Sequence, residues 1–319
     1  MTAQELLQYL KNIDQYYALI PQSENRAAHF EQLISKSISE IFKMKYFCLE
    51  NDNKTIPYRL VWYGSDHHPI HPAQIEGKPD AIARCHNFFL IIEATLKTEG
   101  KQWNQEFGSS VSHLDNFISE EGCNKNQTYI LLITKEISNY TYNSVKNHPR
   151  MDCKFIPLEL SILAQILETS ISAFTLKHFE IRQLLMEIPK LIENSTDLND
   201  FREQLKNQII YWKRDIFGKE SNTIIGLKSY EAMKQTKRTF VGESEILQML
   251  ENSEEITQYL KIIGKQINAR MIEDSLICQS LIANKTTNIE DGETMYQPVP
   301  YIEYKDRACR IIKNIKRIN

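Results

Sequence analysis

Asp80 stands at the start of one short apolar run, PDAIARC (79–85), and Glu93 near the end of the next, FFLIIEATL (88–96), with only His86-Asn87 between them. Runs rich in β-branched and aromatic residues, bounded by polar or Gly/Pro breaks, predict strands, and a two-residue connection predicts a tight hairpin. Residues near the open end of both strands then face one another about 5 Å apart, so the two carboxylates converge. Converging carboxylates on a rigid sheet make a hard-oxygen site for Mg²⁺, which takes few protein ligands and completes its octahedron with water and phosphate. Such an ion lowers the pKa of a bound water and neutralises charge on a developing phosphorane, the two things phosphodiester hydrolysis lacks at neutral pH. On their own, however, Asp80 reads first as a turn residue after Pro79 and Glu93 as a surface residue alternating out of the sheet.

The wider stretch GKPDAIARCHNFFLIIEATLKTEGKQWNQEFGSSVSHL (77–114) changes that weighting. A Pro-Asp pair, twelve residues, then Glu-x-Thr, preceded by an amphipathic helix with a Glu in its middle, resembles the PD-(D/E)xK nuclease superfamily. More closely it is similar to the AlwI family of type IIS restriction endonucleases and their strand-nicking relatives. Those enzymes carry ExT for ExK, followed by a Gln and a Glu on a helix and then a His. The matching residues are Glu93-Ala94-Thr95, Gln102, Glu106 and His113, and the intervals Asp80 to Glu93 and Glu93 to Glu106 are both thirteen residues. The resemblance covers roughly residues 24 to 165.

The resemblance implies that Asp80 and Glu93 are metal ligands, with the Ala94 carbonyl a third, and that Glu106 faces the site from a helix and holds a water or a second ion. His113, seven residues after Glu106, lies two turns further along the same face if the helix continues through Gly108-Ser109-Ser110. An exposed helix-end histidine is the equal alternative. A Glu on the first long helix also reaches the metal in this superfamily; Glu31, beside the apolar stripe, is the candidate and Glu40 its competitor. Thr95 cannot act as the cation that the ExK lysine supplies. Lys97, on the same strand face, either substitutes for it or is a solvated strand-end lysine. His67, His68 and His71 form an HHxxH cluster that in principle suits a transition metal. Their Pro-rich setting, DHHPIHP, reads more simply as a loop near the active site.

The elements that must position these residues follow from periodicity. Residues 24–44 carry Ala27, Phe30, Ile34, Ile38 and Ile41 at three- and four-residue spacings, an amphipathic helix. YFCLE (46–50), YRLVWYG (58–64), the two runs above, TYILLITKEI (128–137) and KFIPLEL (154–160) predict strands, and residues 101–118 a helix. Past residue 175 the pattern turns helical with almost no strand signal. The expected helices are AFTLKHFEIRQLLMEIPKLIE (173–193), FREQLKNQIIYWKRDIF (201–217) closed by Gly218, SYEAMKQT (229–236) after a break at SNTIIGLKS, GESEILQMLEN (242–252), and one long helix over 254–284. The fold class expected is thus α/β: a PD-(D/E)xK restriction-endonuclease-like core, a mixed sheet flanked by helices, followed by an all-helical C-terminal domain. The expected domains are residues 1–176, catalytic, and 177–319, for DNA recognition or partner binding.

Composition sets the remaining bounds. With 319 residues, 42% of them hydrophobic and 25% charged, the chain can bury a substantial core. A net charge of −3 gives no global basic field, so DNA contact must come from local patches. The candidates are KQTKR (234–238) and a tail bearing Lys305, Arg307, Arg310, Lys313, Lys316 and Arg317, and residues 226–250 have the helix, turn, helix rhythm of a winged-helix-like unit. Six scattered cysteines without a CxxC pair predict reduced thiols. No signal peptide and no run of about 20 apolar residues is present, so no membrane partner and a cytoplasmic location are expected.

The expected activity is Mg²⁺-dependent hydrolysis of double-stranded DNA, with 5′-phosphate ends by resemblance. Single-chain enzymes of the resembled family carry a sizeable separate recognition region for which this chain has no N-terminal room. A subunit that works with a second nuclease subunit, or as a homodimer, is therefore expected. The alternatives are an antiviral nuclease effector gated by a partner, and a non-catalytic DNA-binding subunit that keeps the nuclease fold.

Overall fold

Six strands, β1 (Lys45–Cys48), β2 (Arg59–Trp62), β3 (Ala81–Arg84), β4 (Phe89–Thr95), β5 (Thr128–Thr134) and β6 (Phe155–Glu159), pair in chain order into one mixed sheet in the computed structural model. The structure describes residues 1–64, 78–85, 88–96, 99–122, 124–147, 155–173 and 176–304, with backbone alone at residues 50, 99–108 and 125. The predicted turn pair His86-Asn87, the His67/His68/His71 cluster, Lys97 and the basic tail from Lys305 onward lie outside the described residues. By contact the chain forms two compact units, one of residues 1–172 and 181–206, the other of 173–180 and 207–319.

In the first unit β1 and β2 run parallel, β2 with β3 and β3 with β4 antiparallel, and β4, β5 and β6 parallel. Every residue of β5, TYILLIT, is buried. A strand buried on both faces requires cover on both faces, which is why its sequence is a continuous apolar run rather than an alternating one. Helices supply the cover: α1 (Ala3–Lys11), α2 (Ile13–Ala18), α3 (Arg26–Ile41), α4 (Glu99–Glu121), α5 (Asn139–Asn147), α6 (Leu160–Ser172) and α7 (His178–Asn194). Thr2 and Glu5 close a reciprocal capping box on α1, Thr2 N donating to Glu5 Oε2 at 2.7 Å and Glu5 N to Thr2 Oγ1 at 3.2 Å. Asn25 caps α3, its Oδ1 accepting from Ala27 N at 2.8 Å. Phe30, Leu33, Ile34 and Ile38 of α3 are fully buried, and α3 packs against β1 through β4.

The sheet flanked by helices is the expected core, and the C-terminal part is mainly helical, with two departures in detail. The first is continuity. Helix α8 (Leu198–Thr236) runs through both Gly218 and the expected break at residues 221–229. The long helix expected over 254–284 is instead two: α10 (Glu254–Ile263) and α11 (Ala269–Cys278), following α9 (Glu243–Glu251). Gly264 takes φ +67° and caps α10 in the left-handed conformation, and Asn268 Oδ1 starts α11 by accepting from Met271 N at 3.0 Å.

The second departure is a small sheet in the C-terminal part: β7 (Val241–Gly242), β8 (Ile282–Thr287) and β9 (Thr294–Pro298), ordered β7-β9-β8 and antiparallel. Five of the six residues of β8 are exposed. It therefore lacks the apolar alternation that announces a half-buried strand. The order helix, strand, three helices and a hairpin whose second strand lies central is similar to a winged-helix unit with one helix more than usual between first strand and hairpin, built on Ile246, Leu250, Ile256, Leu260, Ile272, Leu276 and Tyr296, all buried.

Candidate functional site

The register of β3 on β4 pairs Ala81 with Ile92. Extended by one residue, it sets Asp80 opposite Glu93 on the same face of the sheet. Cys85 N donates to Phe88 O at 3.0 Å and so closes the hairpin at its other end. A connection this short leaves no slack, and it carries the register of the closed end to the carboxylates.

Both carboxylates are held. Asp80 Oδ2 accepts from Ala94 N at 2.7 Å, and the Asp80 carbonyl accepts from Tyr63 N at 2.9 Å, so the residue is tied to both neighbouring strands. Ala94 meets the site through its N–H. Glu93 is 3% exposed, a burial that an acid tolerates only when partnered. Its Oε1 lies 2.7 Å from His113 Nδ1.

His113 reaches Glu93 because α4 is one continuous helix from Glu99 to Glu121, despite Gly108-Ser109-Ser110. Ser110, Leu114 and Phe117 line its buried face, and α4 packs against β4. Phe117 meets Phe89 edge-on at 5.4 Å, while Arg84 lies over the Phe117 ring at 5.5 Å. Phe117 thus sits over the beginning of β4 and His113 over its end, so helix and strand run antiparallel. The exposed helix-end alternative for His113 does not hold: its side chain is 14% exposed.

Gln102 and Glu106 lie earlier on α4, but their side chains are outside those described. Glu31 is buried at 5% exposure on α3, the helix packed on β4, whereas its competitor Glu40 is ion-paired with Lys43. Thr95 is 4% exposed and aligned with Thr134 of β5, so no cation stands at the ExK lysine position. Among the described residues no group of three or more His, Cys, Asp and Glu side chains is placed to hold a metal ion. The two carboxylates with the half-buried imidazole beside Glu93 are what the structure brings together.

The six-stranded sheet and helices α1 to α5 lie within a stretch matched by a family model. The model of the AlwI restriction endonuclease family matches residues 2–166, a little over half of the chain. The chain belongs to the AlwI restriction endonuclease family. Membership supports a nuclease role on DNA for the sheet that carries Asp80 and Glu93. No curated protein matches the chain. Among solved structures, the small subunit of the heterodimeric restriction endonuclease R.BspD6I is similar at a TM-score of 0.47 and 19% identity, over 64% of this chain and 97% of that one. No helix among the described residues is long and apolar enough to cross a membrane.

Two further features had no sequence signal. Burial pushes the Cys85 thiol well up, against the opposing pull of the Arg182 guanidinium, so Cys85 at the closed end of the hairpin is a packing residue. In the C-terminal unit, Arg214, Lys261 and Lys265 gather around the α10–α11 turn, although the sequence draws attention to residues 234–238 instead.

Proposed function

We propose that the chain is a Mg²⁺-dependent endodeoxyribonuclease that hydrolyses DNA phosphodiester bonds, as a type IIS restriction endonuclease or a subunit of one. The observation that carries this reading is the convergence of Asp80 and Glu93 at the open end of the β3–β4 hairpin, each held by a hydrogen bond at 2.7 Å. The donors are hard oxygens without a thiol, which fits Mg²⁺ rather than a softer metal. Asp80 and Glu93 would hold the ion, with the Ala94 carbonyl and Glu106 as further donors. When bound, it supplies a more acidic water and neutralises charge on the phosphoryl oxygens.

The chain's own residues do the positioning. Ala94 N–H fixes the Asp80 carboxylate and His113 fixes that of Glu93, so neither needs ordering when substrate arrives. His113 is on this reading a positioning residue. Glu31, rather than Glu40, is assigned to the site from α3. Residues 1–176 would form the catalytic domain and 177–319 the part that meets DNA or a partner, in the cytoplasm, in restriction of foreign DNA. One such site cuts one strand, so a double-strand break requires a second nuclease subunit or a second copy of the chain.

The test is cleavage of supercoiled plasmid in Mg²⁺. Asp80→Ala and Glu93→Ala each remove a ligand worth several kcal/mol of charge stabilisation, and activity should fall by at least about 10³-fold. Unchanged cleavage in both variants sinks the assignment. A wild-type chain that cleaves no DNA, alone or with its partner, would favour the non-catalytic DNA-binding subunit.

A further inference from the structure

We infer that the C-terminal unit seats duplex DNA along the α10–α11 turn, with Arg214, Lys261 and Lys265 on backbone phosphates and the start of α11 facing the groove. The inference rests on the reading of the chain as a DNA nuclease and identifies where that substrate is gripped.

The topology supplies the first argument. Helices α10 and α11, both packed on α9, joined by five residues and followed by the β8–β9 hairpin, have the order of a helix–turn–helix with a wing. In such units the second helix enters the major groove by its N-terminal residues while the preceding turn meets the backbone. Here that helix is α11, and Gln266 and Arg270, both exposed, stand at its start.

The distribution of charge is independent of topology. Several described cations of the unit are neutralised within it: Lys219 by Glu180 and Asp215, Lys228 by Glu231 and Glu255, Arg238 by Glu245, Arg270 by Asp274, and Lys285 by Glu273, while Lys234 and Lys237 are exposed at the other end of α8. Arg214, Lys261 and Lys265 are exposed and form no ion pair among the described residues. They are also gathered. Lys261 and Lys265 line one cleft of about 460 Å³ with Thr257, Gln266 and a single carboxylate, Glu251. The Arg214 guanidinium lies against Gly264 between them, 3.5 Å from where a Cβ would stand. Uncompensated cations around an open cleft match the spaced phosphates of a duplex, whose neutralisation supplies most of the sequence-independent affinity. The hairpin does not: its tip carries Glu290 and Asp291, both exposed, which phosphates repel.

The test is binding of a random-sequence duplex of about 30 base pairs by the full-length chain, followed by fluorescence anisotropy in EDTA across a potassium chloride series. The combined variant Arg214→Gln, Lys261→Gln, Lys265→Gln should lower the slope of log affinity against log salt by about 2 to 3, as three lost phosphate contacts require. Its affinity at 0.1 M salt should drop at least tenfold, with a melting temperature like that of the wild type, since all three side chains are exposed. Glu290→Gln with Asp291→Asn should keep or raise the affinity. An unchanged slope in the folded triple variant, wild-type binding without salt dependence, or a loss seen in the hairpin variant instead would overturn the inference. Because EDTA removes cleavage from the readout, a chain that binds this way and never cuts would sink the nuclease reading and leave this one standing.

Discussion

His113 and Glu93 form a contact that the sequence leaves as one of two equal alternatives. The convergence of Asp80 and Glu93 was legible because a two-residue connection fixes a hairpin's register, and register alone sets the two carboxylates opposite one another. The histidine was legible only in part, since Gly108-Ser109-Ser110 costs helix propensity and argues for a break. The helix survives because Phe117 and Leu114 are buried against the sheet, and packing outweighs propensities worth less than about 1 kcal/mol each. If His113 positions Glu93, His113→Ala should cost about 10- to 100-fold in activity and raise the Mg²⁺ concentration needed for half-maximal cleavage. His113→Gln, whose amide can still donate to Oε1, should recover part of both; equal Mg²⁺ requirements in wild type and alanine variant would reduce the histidine to a packing role. Thiol chemistry offers a separate check at this scale. Among the described cysteines Cys85 and Cys48 are buried and Cys278 is exposed, so of these three, alkylation of the native chain, read by mass spectrometry of peptides, should label Cys278 first and the other two only on unfolding.

At the scale of elements, the strands and α3 were legible because each has a strong apolar period. Glycine was misread as punctuation. Gly218 and Gly226 both lie inside α8, where a glycine suggests an end, yet they serve different ends. A Cβ at Gly226 would stand 2.8 Å from the carbonyl oxygen of Ser275, so α8 and α11 approach there too closely for any side chain. At Gly218 a Cβ would meet nothing within 4 Å. Gly226→Ala should therefore destabilise by about 1–3 kcal/mol through crowding. Gly218→Ala should stabilise by about 0.5–1 kcal/mol through helix propensity. Thermal unfolding of the two variants measures both, and a stabilised Gly226→Ala would refute the close approach. The hairpin β8–β9 was illegible for another reason. Its pairing is made by backbone hydrogen bonds on an exposed ribbon, which leave almost no trace in side-chain pattern.

Across the whole molecule, a net charge of −3 coexists with a chain proposed to bind a polyanion. The sum hides how the charges are arranged: several cations of the C-terminal unit are paired with neighbouring acids, while Arg214, Lys261 and Lys265 gather unpaired at one turn and define a place rather than a field. Overall charge thus excludes indiscriminate DNA coating and permits one seat. On the proposed function, the Asp80–Glu93 site also sets the order of products. Supercoiled plasmid treated with the chain alone should yield open circles before any linear form, and gel electrophoresis over time reads this directly. Linear product appearing without an open-circle intermediate would mean two sites acting together in an assembly of the chain.

Asp80 is at once a charge and a strand-pairing group, and the two roles can be separated. Asparagine at position 80 retains a carbonyl oxygen to accept from Ala94 N while giving up the negative charge that a divalent ion needs. Asp80→Asn should thus melt at nearly the wild-type temperature, where Asp80→Ala, leaving an N–H without its acceptor, costs about 1–3 kcal/mol. A folded, inert chain of this kind is a capture reagent. Mixed with sheared genomic fragments in Mg²⁺ and recovered, it should retain those that carry its target, and an alignment of the retained fragments would spell out the recognition sequence without a single cut being made.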